Sequence, residues 1–166
     1  MTDQSRVFLR FTLATIAYRA AKVERDAPPQ FAAFQLGHGA RTPIEILAHM
    51  GDLFDWALRM AAGGSEWTQA KPQSWRKEVD RFHASLLAFD RYLASDSPLG
   101  TTVEELFQGP VSDVLTHIGQ LAVMRRQALS PVRSEVYAKA DIAPGRVGTE
   151  QPKSPFEFDS PPAGVK

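Results

Sequence analysis

A chain of 166 residues with 19 basic and 19 acidic side chains carries no net charge, which excludes the basic excess that nucleic-acid binders use to hold phosphate. With 43% hydrophobic and 23% charged residues, it has the balance of one soluble globular domain large enough for a real core. It has no cysteine, which removes disulfides, thiolate-ligated zinc and cysteine nucleophiles together and fits a reducing compartment, so the cytoplasm is the expected location.

The first helix is expected from about Ser5 to Val23, where Val7, Phe8, Phe11, Ala14, Ile16 and Ala17 recur at helical spacing. Its apolar run is broken by Arg10 and Arg19, so it reads as a mature helix rather than a signal peptide. No run approaches the roughly 18 to 20 apolar residues that span a bilayer, so no membrane partner is expected. Ala27-Pro28-Pro29 stops this helix, and a loop with Gly37-His38-Gly39 at its centre runs to Arg41.

Thr42-Pro43-Ile44-Glu45 is a capping box with proline at the first helical position, the clearest start signal in the chain. The second helix then carries Ile46, Leu47, Met50, Leu53, Phe54 and Ala57 to a stop at Gly63-Gly64, with His49 one turn past the cap. After a loop with Trp67, a third helix is expected from about Ser74 to Ala94, its inner face formed by Val79, Phe82, Leu86, Leu87, Phe89 and Leu93. Thr102-Val103-Glu104-Glu105 is a second capping box. It opens a short helix that Gly109-Pro110 is expected to end. The last long helix runs from Pro110 to Leu129 and stops at Ser130-Pro131. No segment alternates with period two, so the expected fold is all-α: a four-helix bundle over residues 1–132. Residues 133–166 are proline-rich and form an extension packed on the bundle, with a short helix near Ser134 to Ala140 and disorder in the last residues.

Asp113 and His117 are four residues apart in the last helix, so they share a face with Gln120, Leu121 and Met124. An acid and an imidazole in a mostly apolar stripe are expensive to bury unless something satisfies them. Two readings stay open. In one, His49 and His117 are core histidines, hydrogen-bonded to backbone or to Asp113. In the other, His49, Asp113 and His117 hold one divalent transition metal: zinc, nickel, iron or manganese. Three protein ligands leave coordination positions for water or substrate, as catalytic sites do. Glu45, one turn before His49, makes a two-metal carboxylate site conceivable, but the capping box already employs it. Asp52 is expected to be solvated or to sit behind the ligands. His38 and His83 are expected to be exposed or ordinarily hydrogen-bonded, and Gln120 to hold a ligand or serve as a structural amide.

The string SDVLTHIGQLAVMRRQALSPV resembles the last bundle helix of DinB-like proteins, where two histidines four residues apart precede Gly-Gln and an arginine pair. TPIEILAHMGDLFDWAL resembles their second helix, and YAKADIAPGRVGTEQPKSPFEFD resembles the extension of one branch of that family. The resemblance implies a four-helix bundle that binds a divalent metal, typically through three histidines. On that pattern His49 and His117 match two ligands, and Asp113 falls where the family usually has histidine. The resemblance further implies a homodimer, to which apolar residues such as Phe31, Phe34 and Phe107 are expected to contribute, and a small-molecule substrate. Members with known activity include thiol-S-transferases using low-molecular-weight thiols and the mycothiol-dependent maleylpyruvate isomerase. Two functions follow as expectations: a metal-dependent transferase or hydrolase, or a non-catalytic degenerate bundle that binds a small molecule or a protein.

Overall fold

The computed structural model describes residues 3–158. Four long helices dominate it: α1 (Gln4–Glu24), α2 (Pro43–Ala61), α3 (Trp75–Ala94) and α5 (Ser112–Gln127), with a single turn, α4 (Val103–Leu106), before α5. Among the described residues there is no strand, only an isolated antiparallel bridge between Glu135 and Glu157. No helix among them is long and apolar enough to cross a membrane.

Each long helix packs against two others. α3 lies between α1 and α2, and α5 lies between the same two helices on the other side. The order around the bundle is therefore α1, α3, α2, α5. Only α2 and α3 are neighbours in both sequence and space; the other two connections cross the bundle diagonally, as long bundle crossovers do. This arrangement puts α2 beside α5.

The helix starts follow the sequence signals. Glu45 accepts hydrogen bonds from the Thr42 amide at 2.8 Å and the Thr42 hydroxyl at 2.7 Å. At α4, Thr102 and Glu105 satisfy each other's amides at 3.1 and 3.2 Å. The connection after α3 closes through Gly100, whose amide donates to Ala61 at 2.8 Å. A Cβ there would sit 2.2 Å from the Gly63 backbone, so only glycine lets the two turns meet.

Several expectations are corrected. Gly109-Pro110 does not end the short helix. Phe107–Val111 forms a π-helical turn that carries α4 directly into α5, and the Ser112 amide reaches back to Phe107. Proline lacks the N–H that an α-helical turn would use, and the wider turn absorbs the loss. The inner face of α1 is Leu9, Leu13, Ile16, Ala17 and Ala20, all fully buried, whereas Val7, Phe8 and Phe11 point outward. Phe31, expected to be spare apolar surface, is fully buried in a 3₁₀ turn (Pro29–Ala33) against Trp75. Of the phenylalanines expected to be spare surface, Phe107 is exposed, and Phe34 is partly buried against the core. The segment near Ser134 to Ala140 forms only a 3₁₀ turn, Tyr137–Lys139. The expected disorder of the last residues concerns positions outside those described.

Polar ties hold the bundle ends. Arg125 is 4% exposed and donates to the carbonyls of Val23, Arg25, Asp26 and Ser130 and to the Ser130 hydroxyl. It thus joins the C-terminal ends of α1 and α5, where helix carbonyls lack intrahelical donors. Arg81 joins α3 to α2 by donating to Asp52 at 2.8 Å and to the Ala48 carbonyl. It crosses over Gly51, where a Cβ would lie 2.9 Å from the guanidinium.

The extension is fastened at two points. Buried Glu135 accepts from the Tyr18 hydroxyl at 2.9 Å and from the Lys22 ammonium. Farther on, the Val147 carbonyl and the Glu24 carboxylate each lie 2.8 Å from one nitrogen of buried His83. Both neighbours are acceptors, so the arrangement favours an imidazolium that donates from both nitrogens. Burial alone would lower the His83 pKa, but the hydrogen bond and charge of Glu24 outweigh it and raise the pKa above its ordinary value.

Two predictions follow from these ties. Replacing Arg125→Met leaves five acceptors without their donor and should cost about 3 kcal/mol in urea unfolding, while Arg126→Met should change stability by less than about 0.5 kcal/mol. His83 gains its proton more readily in the fold, so its stabilisation is complete below the ordinary imidazole pKa of about 6.5 and fades as pH rises through its raised value. Melting temperatures of wild type and His83→Gln should accordingly differ most at pH 5.5 to 6 and converge at alkaline pH.

Candidate metal centre

His49 lies on the second turn of α2, placed there by the capping box, and Asp113 and His117 lie on successive turns of α5. Because α2 and α5 are neighbours, the three side chains meet between them. One ligand atom from each falls within a group whose members all lie within 4.8 Å of one another. The His49 Nε2 is 3.6 Å from one Asp113 carboxylate oxygen, and the His117 Nε2 is 3.4 Å from the other. The two imidazole rings stand nearly perpendicular, at 85°, with centroids 5.0 Å apart.

These distances bear on whether the histidines are hydrogen-bonded to Asp113. Imidazole–carboxylate hydrogen bonds run from about 2.7 to 3.2 Å. Neither histidine comes that close to Asp113. Tetrahedral zinc with bonds of about 2.0 to 2.2 Å would hold its ligand atoms about 3.3 Å apart. Each imidazole is near that spacing from a different oxygen of Asp113, and one ligand atom from each of the three residues fits within a 4.8 Å group. The three groups face one another without hydrogen bonds between the imidazoles and Asp113, an arrangement that could hold a metal ion.

The surroundings prepare both imidazoles. His117 is buried, and its Nδ1 lies 2.9 Å from the Gln120 side-chain oxygen. A proton on Nδ1, donated to Gln120, leaves the Nε2 lone pair facing Asp113. Partial burial, the positive charge of Arg41 and the neighbouring His117 lower the His49 pKa, with Asp113 and Asp52 pulling the other way. His49 is therefore held toward the neutral form that a metal requires. Asp113 is the open side of the group, with 45% of its side chain exposed.

Trp67, from the loop after α2, stands edge-on to His49 with ring centroids 5.5 Å apart, and Trp56 packs behind it at 5.8 Å. Beside His49 is a small cavity of about 110 Å³ bounded by Arg41 and Gln69. Other polar residues near the site have different tasks. Asp52 is neither solvated nor directed at the histidines; it is 3% exposed and holds Arg81 and the Ala70 amide, at 2.8 and 3.2 Å. Glu45 is occupied by Thr42 and is not part of the metal-ligating group. His83 is 6% exposed and serves the extension, and His38 sits exposed in its loop with φ of 54°. The site contributions of Gln120 and Trp67 differ in legibility: Gln120 at i+3 from His117 is readable from helix spacing, whereas nothing local ties Trp67 to His49.

No protein-family model matches the chain, and neither a curated protein nor a solved structure matches it. The case for the site therefore rests on the chain's own residues.

If Gln120 orients His117, replacing Gln120→Ala should weaken zinc binding by about 10- to 100-fold in a competition titration while leaving the helix content unchanged.

Proposed function

We propose that this protein is a DinB-like four-helix-bundle metalloprotein that holds a divalent transition ion through His49, Asp113 and His117. It acts on a small molecule as a transferase or hydrolase, with water or a low-molecular-weight thiol as the candidate nucleophile. The observation that carries this reading is that one ligand atom from each of the three residues lies within 4.8 Å of the others, with no hydrogen bond between either imidazole and Asp113. Two histidines and a carboxylate suit zinc, nickel, iron or manganese.

An ion held there supplies Lewis acidity, which lowers the pKa of a thiol or water brought to it. The chain does the rest. Gln120 fixes the tautomer of His117, burial keeps His49 neutral, and half-exposed Asp113 leaves an open approach on its side. Trp67 walls the site on the His49 side. With no cysteine in the chain, any thiol chemistry draws its sulfur from the cosubstrate.

Asp113 also motivates the second reading, a bundle that has lost catalysis and binds a small molecule or a protein. An exposed carboxylate competes with water for its ligand role more than a buried imidazole does.

Untagged wild-type protein should purify with about one transition-metal ion per chain by elemental analysis, and His117→Ala should lose it. Added zinc should raise the melting temperature of the wild type and not of that variant. A wild type that holds no ion and gains no stability from zinc would overturn the proposal. If Asp113→His alone binds metal, the second reading holds instead.

A further inference from the structure

On the far side of α5 from Asp113 and His117, a groove of about 320 Å³ lies between α1 and α5, and the first residues of the extension form its third side. Leu115, Gly119, Ala122 and Arg126 fall on one face of α5 by helical spacing, turned away from the histidine face. Leu115, Ile118 and Ala122, with Val23 from α1, give the groove an apolar floor. A Cβ added at Gly119 would meet nothing within 4 Å, so the groove is open above that turn.

Three guanidiniums line this floor: Arg19 from α1, Arg126 from α5 and Arg133 from the extension. Arg19 stacks on the Tyr137 ring, 4.0 Å from its centroid, which fixes the plane of the fork. Its Nε is shielded from solvent and has no hydrogen-bond acceptor among the described residues. Among those residues Arg133 alone of the three has a carboxylate within ion-pair reach, Glu157 at 3.9 Å. The one acid in the lining, Glu135, is already spent on Tyr18 and Lys22. Arg19 and Arg126 therefore bring positive charge to an apolar surface with no carboxylate in ion-pair reach of either among the described residues. Two guanidiniums without a carboxylate partner beside an apolar floor fit an anionic acceptor that comes from outside.

We propose that this groove is a second binding site, separate from the histidine centre, for a small carboxylate with an apolar body. The carboxylate sits between the guanidiniums of Arg19 and Arg126, which match its geometry, and the body lies on Leu115, Ile118 and Ala122. The volume is at the lower end of small-molecule pockets, so the ligand is compact. A polyanion such as nucleic acid is a poor fit, because the charge is confined to one short groove on a chain with no net charge.

The test uses octanoate as the probe and octanamide, its neutral analogue, as the control, followed by calorimetry on the full chain. Octanoate should bind, and octanamide should bind at least about tenfold more weakly. Arg126→Gln, an exposed position, should weaken octanoate by about the same factor. Gly119→Leu fills the open space without removing charge and should abolish binding while leaving the melting temperature unchanged or higher. His117→Ala should bind octanoate as the wild type does, which keeps this test independent of the metal. Equal binding of octanoate and octanamide, or undiminished binding by a folded Gly119→Leu, would overturn the proposal.

Discussion

His49 and His117 can face each other only because α2 and α5 share an edge of the bundle. That adjacency is not local to either helix. It follows from the two connections that cross the bundle diagonally, which place α1 opposite α2 and α3 opposite α5. Neighbouring helices are tied together by cations bound to backbone oxygens. Arg125 gathers the terminal carbonyls of α1 and those following α5, and Arg81 reaches a carbonyl on α2 from α3. A guanidinium suits this work because its planar fork offers five donors, enough to satisfy several carbonyls from one side chain. The ligand face is thus the product of packing elsewhere, and its polar groups are not asked to hold the fold together.

This division explains how the site tolerates groups that satisfy one another so poorly. In the core of α2 and α5 the packing is made by Leu47, Met50, Phe54, Val114 and Leu121, all fully buried. His49, Asp113 and His117 lie at the margin of that core, where exposure of Asp113 spares the carboxylate full desolvation. A carboxylate in this position brings a negative charge and two oxygens where an imidazole would bring a neutral nitrogen. It favours harder ions and reduces the net charge of the centre by one.

What could be read from the sequence was what local chemistry dictates. Thr42-Pro43-Ile44-Glu45 announced α2 and therefore the depth of His49, and the four-residue step from Asp113 to His117 announced a shared face. What could not be read were choices made by distant partners. α1 carries apolar residues on two sides, so periodicity alone could not tell the buried Leu9–Leu13–Ile16 stripe from the outward Phe8 and Phe11. Phe31 sits in a turn too short to have a period. Asp52 looked like an attendant of His49 from its i+3 spacing, but Arg81, 29 residues on, claims it. His83 gave no sign of its role because its partners are Glu24 and the carbonyl of Val147, far away on either side. The order of helices around the bundle belongs to the same class.

The π-helical turn at Phe107–Val111 has a consequence for direction. One residue beyond the α-helical count rotates everything after it by about 100° about the helix axis. Asp113 and His117 come directly after that turn, so their compass bearing toward α2 is set by it. An ordinary widened turn can relax back when an amide recovers its usual acceptor. Pro110 has no amide hydrogen to recover. The bearing of Asp113 and His117 is therefore set by a proline that is not itself part of the candidate metal group.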